Sequence, residues 1–145
     1  MTSVPITILP DVEELLIQHV LRPSDDVTDL LGGAMRVYSA VPTQPTYPLV
    51  IVHRVTGSQG VGDVLWLDRA LIQFDAWAQT KAAARRIAAT VEAVLFESPG
   101  EYPLGVITRV EEEGGIAQLD DPDSTLRHAM FQARVYVHPL VQLGS

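Results

Sequence analysis

Four histidines, a run of acids and a glycine-rich stretch are the residues of this chain whose types and spacing could do chemistry. His19, His53, His128 and His138 fall on an expected helix and on three strand or strand-end positions. Metal ligands must converge on one ion, and ten residues of strand between His128 and His138 span roughly 33 Å, which excludes a common ion for that pair. Asp120-Asp121-Pro122-Asp123 offers oxygen ligands for calcium but lacks the central glycine and terminal glutamate of an EF-hand loop. Gly57-Ser-Gln-Gly-Val-Gly-Asp63 has the glycines of a phosphate cradle, but no Gly-Lys-Ser/Thr follows and Asp63 would repel an anion. No serine sits in a Gly-x-Ser-x-Gly elbow, and without cysteine there is no thiol nucleophile, thiolate metal site or disulfide. Glu111, Glu112 and Glu113 could act as acids or bases only if burial raised a pKa, and Gly114-Gly115 beside them argues for exposure. The expectation is a protein that is not an enzyme, with no catalytic residue, no cofactor and no metal site.

Charge narrows the partners. The chain carries 10 basic and 18 acidic residues, a net charge of −8. Six of the acids, Glu111, Glu112, Glu113, Asp120, Asp121 and Asp123, lie between positions 111 and 123 with no Lys or Arg among them. An acidic chain without a basic stripe is a poor candidate for gripping nucleic acid, which depends on phosphate neutralisation by Lys and Arg, while DNA sliding past without sticking is compatible. Nine of the ten basic residues are arginine, which suits planar bidentate pairs at subunit contacts and equally suits a GC-rich coding sequence. Trp66 and Trp77 are candidates to anchor a subunit contact or to cap the core at a strand end, the second reading fitting Trp77 better.

These residues need a scaffold, and 145 residues fit one domain spanning 1–145, with flexible ends at about 1–9 and 139–145. Such a chain buries about 68–70% of its unfolded surface. No apolar run approaches the roughly 18 residues of a membrane span, and Met1-Thr-Ser-Val-Pro-Ile6 lacks a signal peptide's basic lead-in. The expectation is a protein made and used inside a cell or built into a particle there. Asp11 caps a helix to about Leu21, and Ser24 caps a short turn through Leu31 closed by Gly32-Gly33. Strands follow at Met35–Ala40 and Leu49–Thr56, then a flexible loop at Gly57–Asp63, then a strand at Trp66–Ala78. From Thr80 the apolar period changes from two to 3.6, placing Ala84, Ile87, Ala88, Val91, Val94 and Leu95 on one helical face. Strands at Leu104–Val110 and Thr125–Val137 flank an acidic loop at 111–123. The fold class is α+β, a mainly antiparallel (mixed) sheet with two main α-helices packed on one face.

Val41-Pro42 and Tyr47-Pro-Leu-Val-Ile-Val52, then Arg69 to Trp77 with Phe74-Asp-Ala-Trp-Ala78, then an alanine-rich helix ending Val91-Glu-Ala-Val-Leu95, form a pattern. With the leading helix and the long final strand, over about residues 10 to 138, it resembles the tail terminator, or tail completion, family of long-tailed bacteriophages, which phage-like gene transfer agents also carry. The resemblance implies a virion protein, assembled in the host cytoplasm, that forms a hexameric ring on the head-proximal end of the tail tube and ends tube polymerisation. Implied partners are further copies of itself, the tail tube protein, the head connector or stopper protein, and DNA passing through the channel without specific binding; no membrane is involved. Candidate interface or channel residues are Asp63, Trp66, Arg85, Arg86, Glu111, Glu112, Glu113, Asp120, Asp121 and Asp123. A connector-adaptor or head-completion protein of the neck is the alternative, and a small-molecule-binding α+β protein a more distant one.

Overall fold

The computed structural model describes residues 8–61, 64–119 and 124–140. Helix α1 (Val12–Leu15) starts where the Asp11 side chain accepts from the Glu14 N–H at 3.1 Å, with Glu13 and Glu14 in the first turn, and runs on as a π-helical segment, Leu16–Leu21. After Pro23, α2 (Asp25–Leu30) makes a short second helix. Helix α3 (Lys81–Phe96) is capped by Thr80, whose hydroxyl accepts from the Ala83 N–H at 3.1 Å. Its buried face is Ala84, Ile87, Ala88, Val91 and Leu95, the 3.6-residue stripe of the sequence with Val94 only half-buried.

Six strands, β1 (Val37–Tyr38), β2 (Leu49–Val61), β3 (Val64–Ala78), β4 (Gly100–Tyr102), β5 (Gly105–Leu119) and β6 (Arg127–His138), form one sheet. Its order is β1-β2-β3-β6-β5-β4, antiparallel throughout except for the β1–β2 pair. The architecture is therefore the expected α+β class. Alternation on the central strands sends Ala70, Ile72, Phe74, Ala76 and Ala78 of β3, and Ala129, Phe131, Ala133, Val135 and Val137 of β6, into one core under α3. The alanines keep the surface beneath the helix low, and Phe74 and Phe131 fill the centre, stacked at 4.7 Å and 9°.

Four expectations change. The loop expected at Gly57–Asp63 is strand: β2 continues to Val61 in register with β3, from Gly57↔Ala70 to Val61↔Val64. Gly57 (φ 137°) sits where a Cβ would come 2.3 Å from the Arg69 carbonyl oxygen, so this glycine permits close strand approach at a bulge. The loop expected at 111–123 is strand as far as Leu119, because Glu111, Glu112 and Glu113 pair in register with Arg134, Ala133 and Gln132 of β6. Gly114 and Gly115 (φ 95° and 80°) make a bulge inside β5 and do not end it. The strand expected at Met35–Ala40 shrinks to Val37–Tyr38, and β4 was not foreseen. Most of the expected flexible ends, about 1–9 and 139–145, lies outside the described residues, as do Asp63, Asp120, Asp121 and Asp123.

Candidate functional site

On the sheet face turned away from the helices, the side chains left over by the core alternation form a polar network. Asp75 of β3 is only 6% exposed although no helix covers it. His128 on β6 brings Nε2 to 2.5 Å from one Asp75 oxygen, and His53 on β2 brings Nε2 to 3.4 Å from the other. The Gln73 amide donates to both oxygens at 3.1 Å, and the Gln132 amide donates to the Gln73 carbonyl oxygen at 3.1 Å. Trp77 stacks on the His128 ring at 3.9 Å and 11°, so it packs on the open face and does not cap the core as expected. A carboxylate between two imidazoles resembles acid–base machinery, but the glutamine donors tie up the same oxygens and make this a bracing network across three strands. Among the described residues, no group of three or more His, Asp or Glu is arranged to hold a metal ion.

A second polar centre sits where the β2–β3 hairpin leaves the sheet. Pairing of β3 with β6 ends at Asp68↔Val137, and beyond it β2 and β3 continue as a two-stranded arm. At that point the Arg54 guanidinium grips the fully buried Asp68 carboxylate through two bonds of 2.5 and 2.6 Å. That hydrogen bond, with the opposite charge, holds the Arg54 pKa above its ordinary value against the effect of burial. The Arg54 backbone N–H also donates to Glu13 at 3.3 Å, tying α1 to the arm's base.

The expected acidic patch is split by the pleat. Glu111 and Glu113 lie on the open face, where Arg109 reaches Glu111 at 2.7 Å and Arg134 reaches Glu113 at 3.1 Å. The Tyr136 hydroxyl donates to Glu111 at 3.4 Å. Glu112 pairs in register with the buried Ala133 on the helix side, where its charge acts on Glu92 of α3. Burial above all, and Glu112 in addition, push the Glu92 carboxyl upward, while Arg85 pulls it down. Arg85 and Arg86 are both exposed but on different flanks. Arg85 lies towards Glu92, and Arg86 lines a surface groove of about 580 Å³ between α2 and α3, with Asp26, Asp29, Ala89, Ala93 and Val94. Trp66 lies in the arm; its side chain is outside the described residues.

Sequence reasoning missed the His53–Asp75–His128 network because register, which no single segment encodes, brings the three together. The visible signal was Gln73, Asp75 and Trp77 at alternate positions of a strand whose other face is apolar. Among the described residues no helix is long and apolar enough to cross a membrane.

Comparison with known proteins adds to this geometry. The model of the family described as tail completion protein gp17 matches residues 16–138. No curated protein matches the chain in sequence. Among solved structures, a chain from the virion of a native gene transfer agent particle has a similar fold, with a TM-score of 0.62 at 17% identity, over 84% of this chain and 91% of that one.

Proposed function

This chain belongs to the tail completion protein gp17 family, structural proteins of the bacteriophage tail, and from that premise we propose that it caps the head-proximal end of the tail tube as a homo-hexameric ring. The ring ends tube polymerisation and presents the surface on which the head's connector or stopper protein seats. The family match over residues 16–138 carries this reading. The gene transfer agent chain of similar fold comes from an assembled virion, which supports assembly with other virion proteins. No step needs a reacting group: a head-to-tail contact whose rotation closes makes a ring, and capping is then surface complementarity. The chain acts as a single domain, and the network that braces β2, β3 and β6 keeps the ring-forming surfaces rigid.

The net charge of −8 suits a channel through which DNA slides, since negative walls disfavour lasting phosphate contacts. Part of the 111–123 stretch (Glu111, Glu112, Glu113, Asp120, Asp121, Asp123), or Asp63, is assigned to the channel or the adjoining ring, with Glu112 and the Glu111–Glu113 pair on opposite faces of β5, and Trp66, Arg85 and Arg86 to contacts between subunits. Replacing Glu111, Glu112 and Glu113 together by Gln then slows DNA delivery by assembled particles; unchanged delivery would sink the channel assignment.

Negative-stain imaging with mass photometry across a concentration series tests the ring. Six-fold rings with an open centre are expected. A monomer at every concentration, with and without tube protein, would remove the capping role and favour an adaptor in the neck.

A further inference from the structure

The sheet has two open edges that are complementary in direction and height and do not repel each other in charge. On one side, β1 covers β2 only at Val50 and Ile51. Glu13 then takes the Arg54 N–H. From Val55 to Val61, among the described residues, no strand lies along the outer side of β2. On the other side, β4 covers β5 only at Gly105, Val106 and Ile107. From Thr108 to Glu113 the outer side of β5 is equally free among the described residues, until the Gly114-Gly115 bulge breaks the flat run. Among the described residues, each run presents backbone donors and acceptors that no strand pairs, the usual template for pairing with another chain.

Resting on the ring reading above, we propose that the neighbouring subunit is bound by β-augmentation, the Val55–Ser58 edge of one copy pairing with the Arg109–Glu112 edge of the next. Direction favours it. The strands β2, β3, β6 and β5 alternate, so β2 and β5 run oppositely. Rotation about a ring axis preserves their sense along the axis, so the β2 edge meets the next copy's β5 edge antiparallel, the better-bonded arrangement. Height favours it as well: the register carries Thr56 through Leu71 and Arg134 to Glu111, and Gln59 through Asp68 and Val137 to Ile107. The Val55–Ser58 part of the free β2 run therefore lies level with the free β5 run, while Gln59 reaches the height of Ile107, which β4 covers; with the strands along the ring axis, pairing Val55–Ser58 with Arg109–Glu112 needs no axial step, which closes a flat ring where a step would build a filament. Charge discriminates between partners. A β5–β5 pair would oppose Glu111, Glu112 and Glu113 to their own copies, whereas Val55-Thr-Gly-Ser-Gln-Gly-Val61 contains no acid. Val55, 46% exposed in the single chain, then gains a neighbour across the new strand pair.

Two measurements test this. Hydrogen exchange read by mass spectrometry on the unmodified protein, above and below the concentration at which rings form, is expected to show amides in 55–58 and 109–112 exchanging at least about tenfold more slowly in the ring. The chain has no cysteine, so paired substitutions can be read cleanly. Oxidation of Thr56→Cys with Glu111→Cys, or of Ser58→Cys with Arg109→Cys, is expected to give covalent multimers up to the ring in at least one pair, while Asp26→Cys with Glu111→Cys stays single. Rings that form with no added protection in either run and no cross-link in either pair overturn the proposal and leave the ring reading standing. A wild-type protein that never forms rings overturns both.

Discussion

Asp68→Asn is the most informative single change, because it removes one charge and almost no volume at the base of the arm. The Asp68 side chain has no exposure, the Arg54 side chain has 27%, and the two share a bidentate contact. Breaking a buried ion pair from one side costs about 3–5 kcal/mol, since the remaining charge stays buried without its partner. Water reaches part of Arg54, and Glu13 lies near it, so the lower end applies, about 3 kcal/mol. At roughly 3 °C per kcal/mol for a chain of this size, the melting temperature falls by about 10 °C. Urea denaturation followed by circular dichroism, with calorimetry on the same variant, measures both. Replacing both partners, Arg54→Met with Asp68→Leu, is expected to recover most of the loss, because an apolar pair of similar volume needs no compensation. A cost below about 1 kcal/mol for Asp68→Asn would show that the pair does not hold the arm, and would refute the clamp.

Phe131→Ala empties the centre of the core beside Phe74 and is expected to cost about 3–5 kcal/mol, read as a lower denaturation midpoint at unchanged slope; a loss under about 1.5 kcal/mol would contradict the packing described. Glu92→Gln tests the desolvated carboxyl. Its folded-state pKa is raised, so the folded chain holds this proton more tightly than the unfolded chain, and stability declines as pH rises through its titration. The variant should therefore melt higher than wild type at neutral and alkaline pH, with the difference vanishing as pH falls below the ordinary glutamate range near about 4; a pH-independent difference would refute the cause. Arg85→Glu, on an exposed helix flank, is expected to weaken the ring by about tenfold in dissociation constant while changing monomer stability by no more than about 0.5 kcal/mol; an unaltered ring would dismiss Arg85 from the contact.

Local signals carried much of the fold. The switch of period at Thr80, the Asp11 cap and the alternation along 127–137 are written in neighbouring residues, and α3, β3, α1 and β6 stand where those signals put them. The errors share one cause. Gly57 to Gly62 and Glu111 to Gly115 have loop composition, yet Gly57 and Glu111–Glu113 pair in long strands because β3 and β6 supply the register, and Arg134 and Tyr136 supply partners for the acids. Edge strands tolerate glycine and charge because one side of the ladder is open, so composition misleads there most. The same dependence on register hid the His53–Asp75–His128 network and divided the acids between two faces. The candidate site was thus legible as a set of residues and illegible as an arrangement.

The central claim is that this protein stops a tail tube from growing. The direct measurement is to add it to the tube protein encoded with it during polymerisation, and to record tube lengths and the ends by electron microscopy with the cap labelled. The account predicts labelled rings at one end of each tube and growth halted at that end. Tubes that continue to lengthen at both ends, with no label at either, would contradict it.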